Sequence, residues 1–234
     1  MKRYTVIDKL RGITIISMVL FHLIYNINFY HKISWYDQSL VNKIWQLSIA
    51  TSFFILSGIT ANILSPYKNI IRGIKLSLIG FLISLITYLF APEQLIIFGV
   101  LNGLGASMII AGILQKYLNI HSKYSIIFLI LFILSYNLPD GKLLWFNLTD
   151  KIYKFNLFFL GFPSKNFYSN DFFSIIPWTF IYISGFLFGK YLFKKNVLRL
   201  NSSQSFINLI GRYSLEIYLI HQVILYPLVS LILK

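Results

Sequence analysis

The chain has 234 residues, of which 57% are hydrophobic and 12% charged, and its mean hydropathy is +0.70. Too few polar groups exist to cover a water-facing surface, so a soluble domain is excluded. A formal net charge of +14 raises nucleic acid as a partner, but the lysines and arginines sit in short loops between apolar runs rather than along one face, which argues against it.

Apolar windows mark seven expected spans, at about 11–30, 44–64, 74–91, 95–114, 122–137, 173–192 and 206–232. The first begins basic, but Asp8, Arg11 and His22 interrupt it and no small-residue cleavage site follows, so it is expected to be an uncleaved span. The expected fold class is an all-α integral membrane protein. It is a bundle of about seven transmembrane helices in a single domain over 1–234, with a long connection at about 138–172 broken by Pro139, Gly141, Gly161 and Pro163. With the N-terminus inside, lysine and arginine fall on inner segments over outer ones by two to one. This predicts a cytoplasmic N-terminus, a C-terminus outside and an extracytoplasmic 138–172 loop.

Ionisable groups inside a span are costly and default to function. Arg11 and His22 lie eleven positions apart, which at about 100° per residue and 1.5 Å rise puts them on nearly one face, roughly 16 Å apart along the axis. Arg11, with Lys75 among the basic loop residues, is the candidate for gripping a phosphate-bearing cofactor, since a guanidinium offers a planar donor fork. His22 near mid-membrane is the candidate general base. Asn26, one turn further on, is a candidate for substrate binding, and Ile15 with Met18 could line a track between the two ends.

In the fourth window Asn102, a further candidate for substrate binding, stands beside Gly99 and Gly103, whose small-xxx-small spacing suits helix packing. Asp171 precedes the sixth window, either as its N-cap or as an acid that orients a histidine or an acceptor. Trp178, like Trp35, Trp45 and Trp145, belongs either to an interfacial aromatic belt or to a surface that stacks on a sugar. The last window runs parallel to the first. Arg212 marks its inner end and either binds the cofactor or pairs with Glu216 four residues on, while His221, a second candidate catalytic histidine, lies about 13 Å higher, level with His22. Ser214, Tyr218, His221 and Gln222 share one broad face. Cysteine is absent, which removes disulfides, thiolate metal sites and a Cys nucleophile. No metal is expected.

Five stretches in order, DKLRGITIISMVLFH, FFILSGIT, FGVLNGLGAS, DFFSIIPW and GRYSLEIYLIHQ, resemble the bacterial relatives of the heparan-α-glucosaminide N-acetyltransferase catalytic-domain family. The Arg11 to His22 spacing is also similar to a signature of the wider transmembrane acyltransferase superfamily. The resemblance implies transfer of an acyl group, usually acetyl, from cytoplasmic acyl-CoA through a bacterial plasma membrane to a carbohydrate acceptor outside. Arg11 would hold the cofactor's phosphates and His22 would be the catalytic histidine. Asn102 stands where the family often shows a histidine. A small transporter or channel, and a non-catalytic membrane partner that keeps the fold, are the alternatives.

Overall fold

The computed structural model describes residues 4–36, 39–198 and 205–233. Lys2, Arg3, Arg199 and Lys234, four of the charges behind the expected orientation, lie outside them. The all-α architecture is as expected: α1 (Thr5–Tyr30), α2 (Leu40–Ala61), α3 (Pro66–Phe90), α4 (Val100–Tyr117), α5 (Ser125–Ser135), α6 (Ile175–Lys194), α7 (Phe206–Arg212) and α8 (Ser214–Leu233), with a two-stranded hairpin, β1 (Lys142–Leu143) and β2 (Phe146–Asn147), after α5. Six segments among the described residues are long and apolar enough to cross a membrane: α1, α2, α3, Ser122–Asp140 around α5, α6 and α8.

The first and third expected spans open earlier in the structure, at Thr5 and Pro66, and two others differ in more than their length. The fourth, expected at 95–114, becomes helical only at Val100, because residues before it pair with the approach to α6. The Asn170 N–H donates to Leu95 O at 2.9 Å, the Phe173 N–H to Phe98 O at 2.9 Å, and Ile97 N–H to the Ser169 hydroxyl at 2.8 Å. The resulting α4 is largely buried and carries Asn102, Gln115 and Lys116, and these polar side chains keep it outside the six. The seventh, expected unbroken over 206–232, is instead two helices, since Tyr213 at φ −95°, ψ 23° ends α7 before α8 begins at Ser214.

The 138–172 connection is ordered rather than a structureless loop. Tyr153 donates its hydroxyl to Leu138 O at 2.6 Å, Phe158 and Phe167 stack at 5.1 Å, and Lys165 pairs with Asp150 at 2.6 Å.

The chain divides into two compact units, 1–56 with 196–234, and 57–195. In lipid, apolar burial does not by itself drive helices together, so close approach through small residues carries more of the packing. In the first unit α1 meets α7 at two glycines: a β-carbon on Gly12 would lie 2.1 Å from Ile207 O, and one on Gly211 would lie 1.8 Å from Asp8 O. Ile15, Met18, Phe21, Tyr36 and Ile49 form its core, and Trp45 of α2 ties to α1 by donating to the Ser17 hydroxyl at 2.8 Å.

In the second unit Ser65 caps α3, accepting from Lys68 N–H at 3.4 Å with Pro66 following, a start that suits a helix whose first N–H groups have no partner. Helices α3 and α4 approach at Gly73 against Gly105 and at Gly80 against Asn102. Helix α4 joins α6 through the Ser107 and Thr179 hydroxyls at 3.0 Å, and α5 joins α6 through Ser125 and Ser184, each donating to the other's carbonyl at 2.9 Å. Gly105 thus adds a close approach two residues beyond Gly103, which is itself buried on α4.

Candidate active site

Helix α1 runs unbroken from Thr5 to Tyr30, so the Arg11 and His22 stripe expected from spacing survives. Both residues are half-buried. What lies between them does not form a track: Ile15 is fully buried and Met18 is 4% exposed within the core. The reason is geometric. These two positions lie on the face of α1 that α2 and α8 cover, so apolar side chains there are used up in packing, and Met18 is a core residue rather than a lining one.

At the far end of the stripe, polar side chains of α1 and α8 meet. The Gln222 Nε2 amide donates to His22 Nδ1 at 3.0 Å, and Gln222 Oε1 accepts from Asn26 Nδ2 at 3.0 Å. The His22 and His221 rings lie 4.8 Å apart between centroids, inclined by 52°. His221 Nδ1 lies 2.6 Å from the Tyr218 carbonyl. Phe21 and Tyr25 stand edge-on to His22 at 5.6 and 6.5 Å. The expectation that the two histidines share a depth is met, and they are in ring contact. Asn26 is buried with its amide turned to Gln222, so it orders this cluster from behind.

Gln222 is the residue that reading for chemistry passed over. Its signal was present in the face it shares with His221, but a neutral amide draws attention only once its two partners are known.

Arg212 sits with its Nε 3.8 Å from Asp8 Oδ2, and Asp8 is itself buried. The expected alternatives were a cofactor contact or a pair with Glu216. The break at Tyr213 separates Arg212 from Glu216, which is exposed, and the close approach at Gly12 and Gly211 brings Asp8 into reach instead.

Lys75, Asn102, Asp171 and Trp178 belong to the second unit. Lys75 is exposed on α3. Asn102 is 1% exposed, donates from Nδ2 to Ser77 O at 3.3 Å and fits only because residue 80 is glycine, where a β-carbon would lie 2.4 Å from its Oδ1. Trp178 is buried among rings, 4.5 Å from Phe173, 5.5 Å from Phe132 and 6.3 Å from Tyr136, so its faces are packed.

Asp171 does cap a helix, but α4 and not α6. Its Oδ2 accepts from Val100 N–H at 3.0 Å, while Ser174 holds the N-cap position of α6. Gly99 leaves room for that carboxylate, since a β-carbon there would meet it at 2.8 Å. Removal from water raises the Asp171 carboxyl from 3.8 to about 6, opposed by the Val100 N–H. A folded-state value above the unfolded one means that the contribution to stability is complete below 3.8 and fades as pH rises through about 6. The thermal midpoint in detergent should therefore fall across that window. Asp171→Asn should flatten the dependence while keeping the cap, and Asp171→Ala should cost about 1 kcal/mol. A wild-type midpoint that rises across the window would contradict the assignment.

Among the described residues no group of three or more His, Cys, Asp or Glu is placed to hold a metal ion. No curated protein and no solved structure matches the chain. A family model described as heparan-alpha-glucosaminide N-acetyltransferase, catalytic, matches residues 3–223. With apolar helices long enough to cross a bilayer and that match over nearly its whole length, the chain is an integral membrane protein that belongs to the heparan-α-glucosaminide N-acetyltransferase catalytic family.

Proposed function

We propose that the protein transfers an acetyl group from cytoplasmic acetyl-CoA to an amine or hydroxyl of an extracytoplasmic carbohydrate. The observation that carries the reading is the contact of His22 and His221, buffered by Gln222 and Asn26, on two helices of a chain in an acetyltransferase family. A paired imidazole cluster inside an apolar bundle costs free energy, and its presence despite that cost favours a function for it. Acyl transfer uses it to move a proton at neutral pH. The alternative in which His22 itself carries the acyl group first is part of the same reading, and trapping a modified histidine after a burst separates the two.

In this reading the whole chain acts as one domain in a bacterial plasma membrane. The N-terminus is cytoplasmic and the C-terminus outside, as the charge bias favours, and α4 makes the seventh crossing. Arg11 stands at the donor end and would meet the phosphates of the coenzyme. Arg212, whose charge Asp8 faces, lies on the neighbouring helix.

Purified protein in nanodiscs, given radiolabelled acetyl-CoA and a panel of amino sugars and neutral sugars, should release coenzyme A thiol and label at least one acceptor. No thiol release above a protein-free control, together with no binding of acetyl-CoA, would overturn the reading. Because the chain has no cysteine, single cysteines introduced in the 138–172 connection report its side directly. They should react with an impermeant maleimide added to intact cells.

A further inference from the structure

The two histidines are not equivalent, and the hydrogen bonds around them say how. An amide oxygen accepts and an amide nitrogen donates. Gln222 Oε1 takes the N–H of Asn26 Nδ2 at 3.0 Å, so the end of Gln222 turned to His22 is the nitrogen, 3.0 Å from Nδ1. Nδ1 of His22 is thereby an acceptor without a proton, and the proton of the neutral ring is on Nε2. His221 is held the other way round. Its Nδ1 faces the Tyr218 carbonyl at 2.6 Å, and a carbonyl can only accept, so Nδ1 carries the proton and Nε2 holds the lone pair. That Nε2 is buried and has no hydrogen-bond partner among the described residues. An acceptor left so has given up its hydrogen bond to water without a replacement.

We propose that Asn26 and Gln222 form a two-amide positioning relay that fixes His22 as the Nε2–H tautomer, so that His22 serves as a hydrogen-bond donor while Nε2 of His221 is the open basic nitrogen of the pair. The assignment deepens the acyl-transfer reading and, for its chemistry, rests on it. The acceptor nitrogen bonds to the acyl carbon and its released proton goes to Nε2 of His221. The His22 N–H donates to the carbonyl oxygen as charge gathers there. The carbon–sulfur bond breaks, and the leaving thiolate takes the proton back from His221, restoring both rings. Gln222 touches no reacting atom in this scheme. It acts through His22, as a group that selects a tautomer does in any imidazole-based site.

The test reads tautomers directly. The chain has four histidines, and His31→Asn with His121→Asn leaves only the pair. Nitrogen-15 solid-state NMR of this protein in bilayers should show one neutral ring protonated at Nε2 and one at Nδ1. Two rings of the same tautomer would overturn the proposal, whatever the activity. Gln222→Met removes the donor at nearly constant length, and Asn26→Leu keeps Gln222 but frees it to turn. Each variant should give His22 a mixed tautomer signal and lower acetyl transfer on the order of 10- to 100-fold with little change in KM for acetyl-CoA. An unchanged His22 signal in Gln222→Met would equally overturn it. The expected tautomers in a protein that transfers nothing would sink the acyl-transfer reading and leave the relay standing.

Discussion

Replacing His22 with alanine or glutamine is expected to lower acetyl transfer about 10²- to 10³-fold, the usual loss when a donor aimed at developing negative charge is removed, or roughly 3–4 kcal/mol of barrier. The loss should fall on kcat. His22 is the meeting point of the cluster: its Nδ1 accepts a hydrogen bond from the Gln222 amide, and its ring lies 4.8 Å from that of His221. Glutamine at this position can still accept from Gln222, so His22→Gln separates chemistry from folding. A variant that melts as the parent does, binds acetyl-CoA and transfers nothing is the expected result. Turnover within a few-fold of the parent would remove His22 from the reaction.

The second large effect is on stability. Gly211→Val, or Gly12→Val on the facing helix, should destabilise the first unit by about 3 kcal/mol or more, at the upper end for an overpacked contact. Even the β-carbon of alanine would stand 1.8 Å from Asp8 O or 2.1 Å from Ile207 O, and the atoms it meets are backbone, which cannot swing aside. The helices would have to part, and the approach of Arg212 to Asp8 at 3.8 Å would go with them. Thermal melting in detergent measures this, with Leu209→Ala on the exposed face of α7 as a control expected to move little. A midpoint for Gly211→Val equal to that of the parent would show that the close approach is not what holds α1 to α7.

The order of helices was legible because apolar runs in a membrane chain are long and their interruptions are few, and the stripe of Arg11 and His22 followed from helix period alone. The parallel course of the first and last spans also brought His22 and His221 to one level. Element ends were less legible. Val100 opens α4 because backbone groups at 95–98 are taken by partners some seventy residues away, such as Ser169 at 2.8 Å from Ile97 N. No local pattern announces such a pairing. Tyr213 breaks the last span two residues after Gly211, and a single glycine within an apolar window does not by itself announce a break.

By itself, then, the sequence determined an all-α membrane protein, its family motifs and the histidines, since these depend on composition, periodicity and spacing along one helix. The tertiary structure decided which neighbour each polar group serves. It turned Arg212 to Asp8, gave Asp171 to α4, packed Met18 and Trp178 into cores and set Gln222 between Asn26 and His22. The physical reason is that a hydrogen bond or ion pair is fixed by where two helices touch, and that contact is set here by glycines whose effect lies in the backbone opposite them.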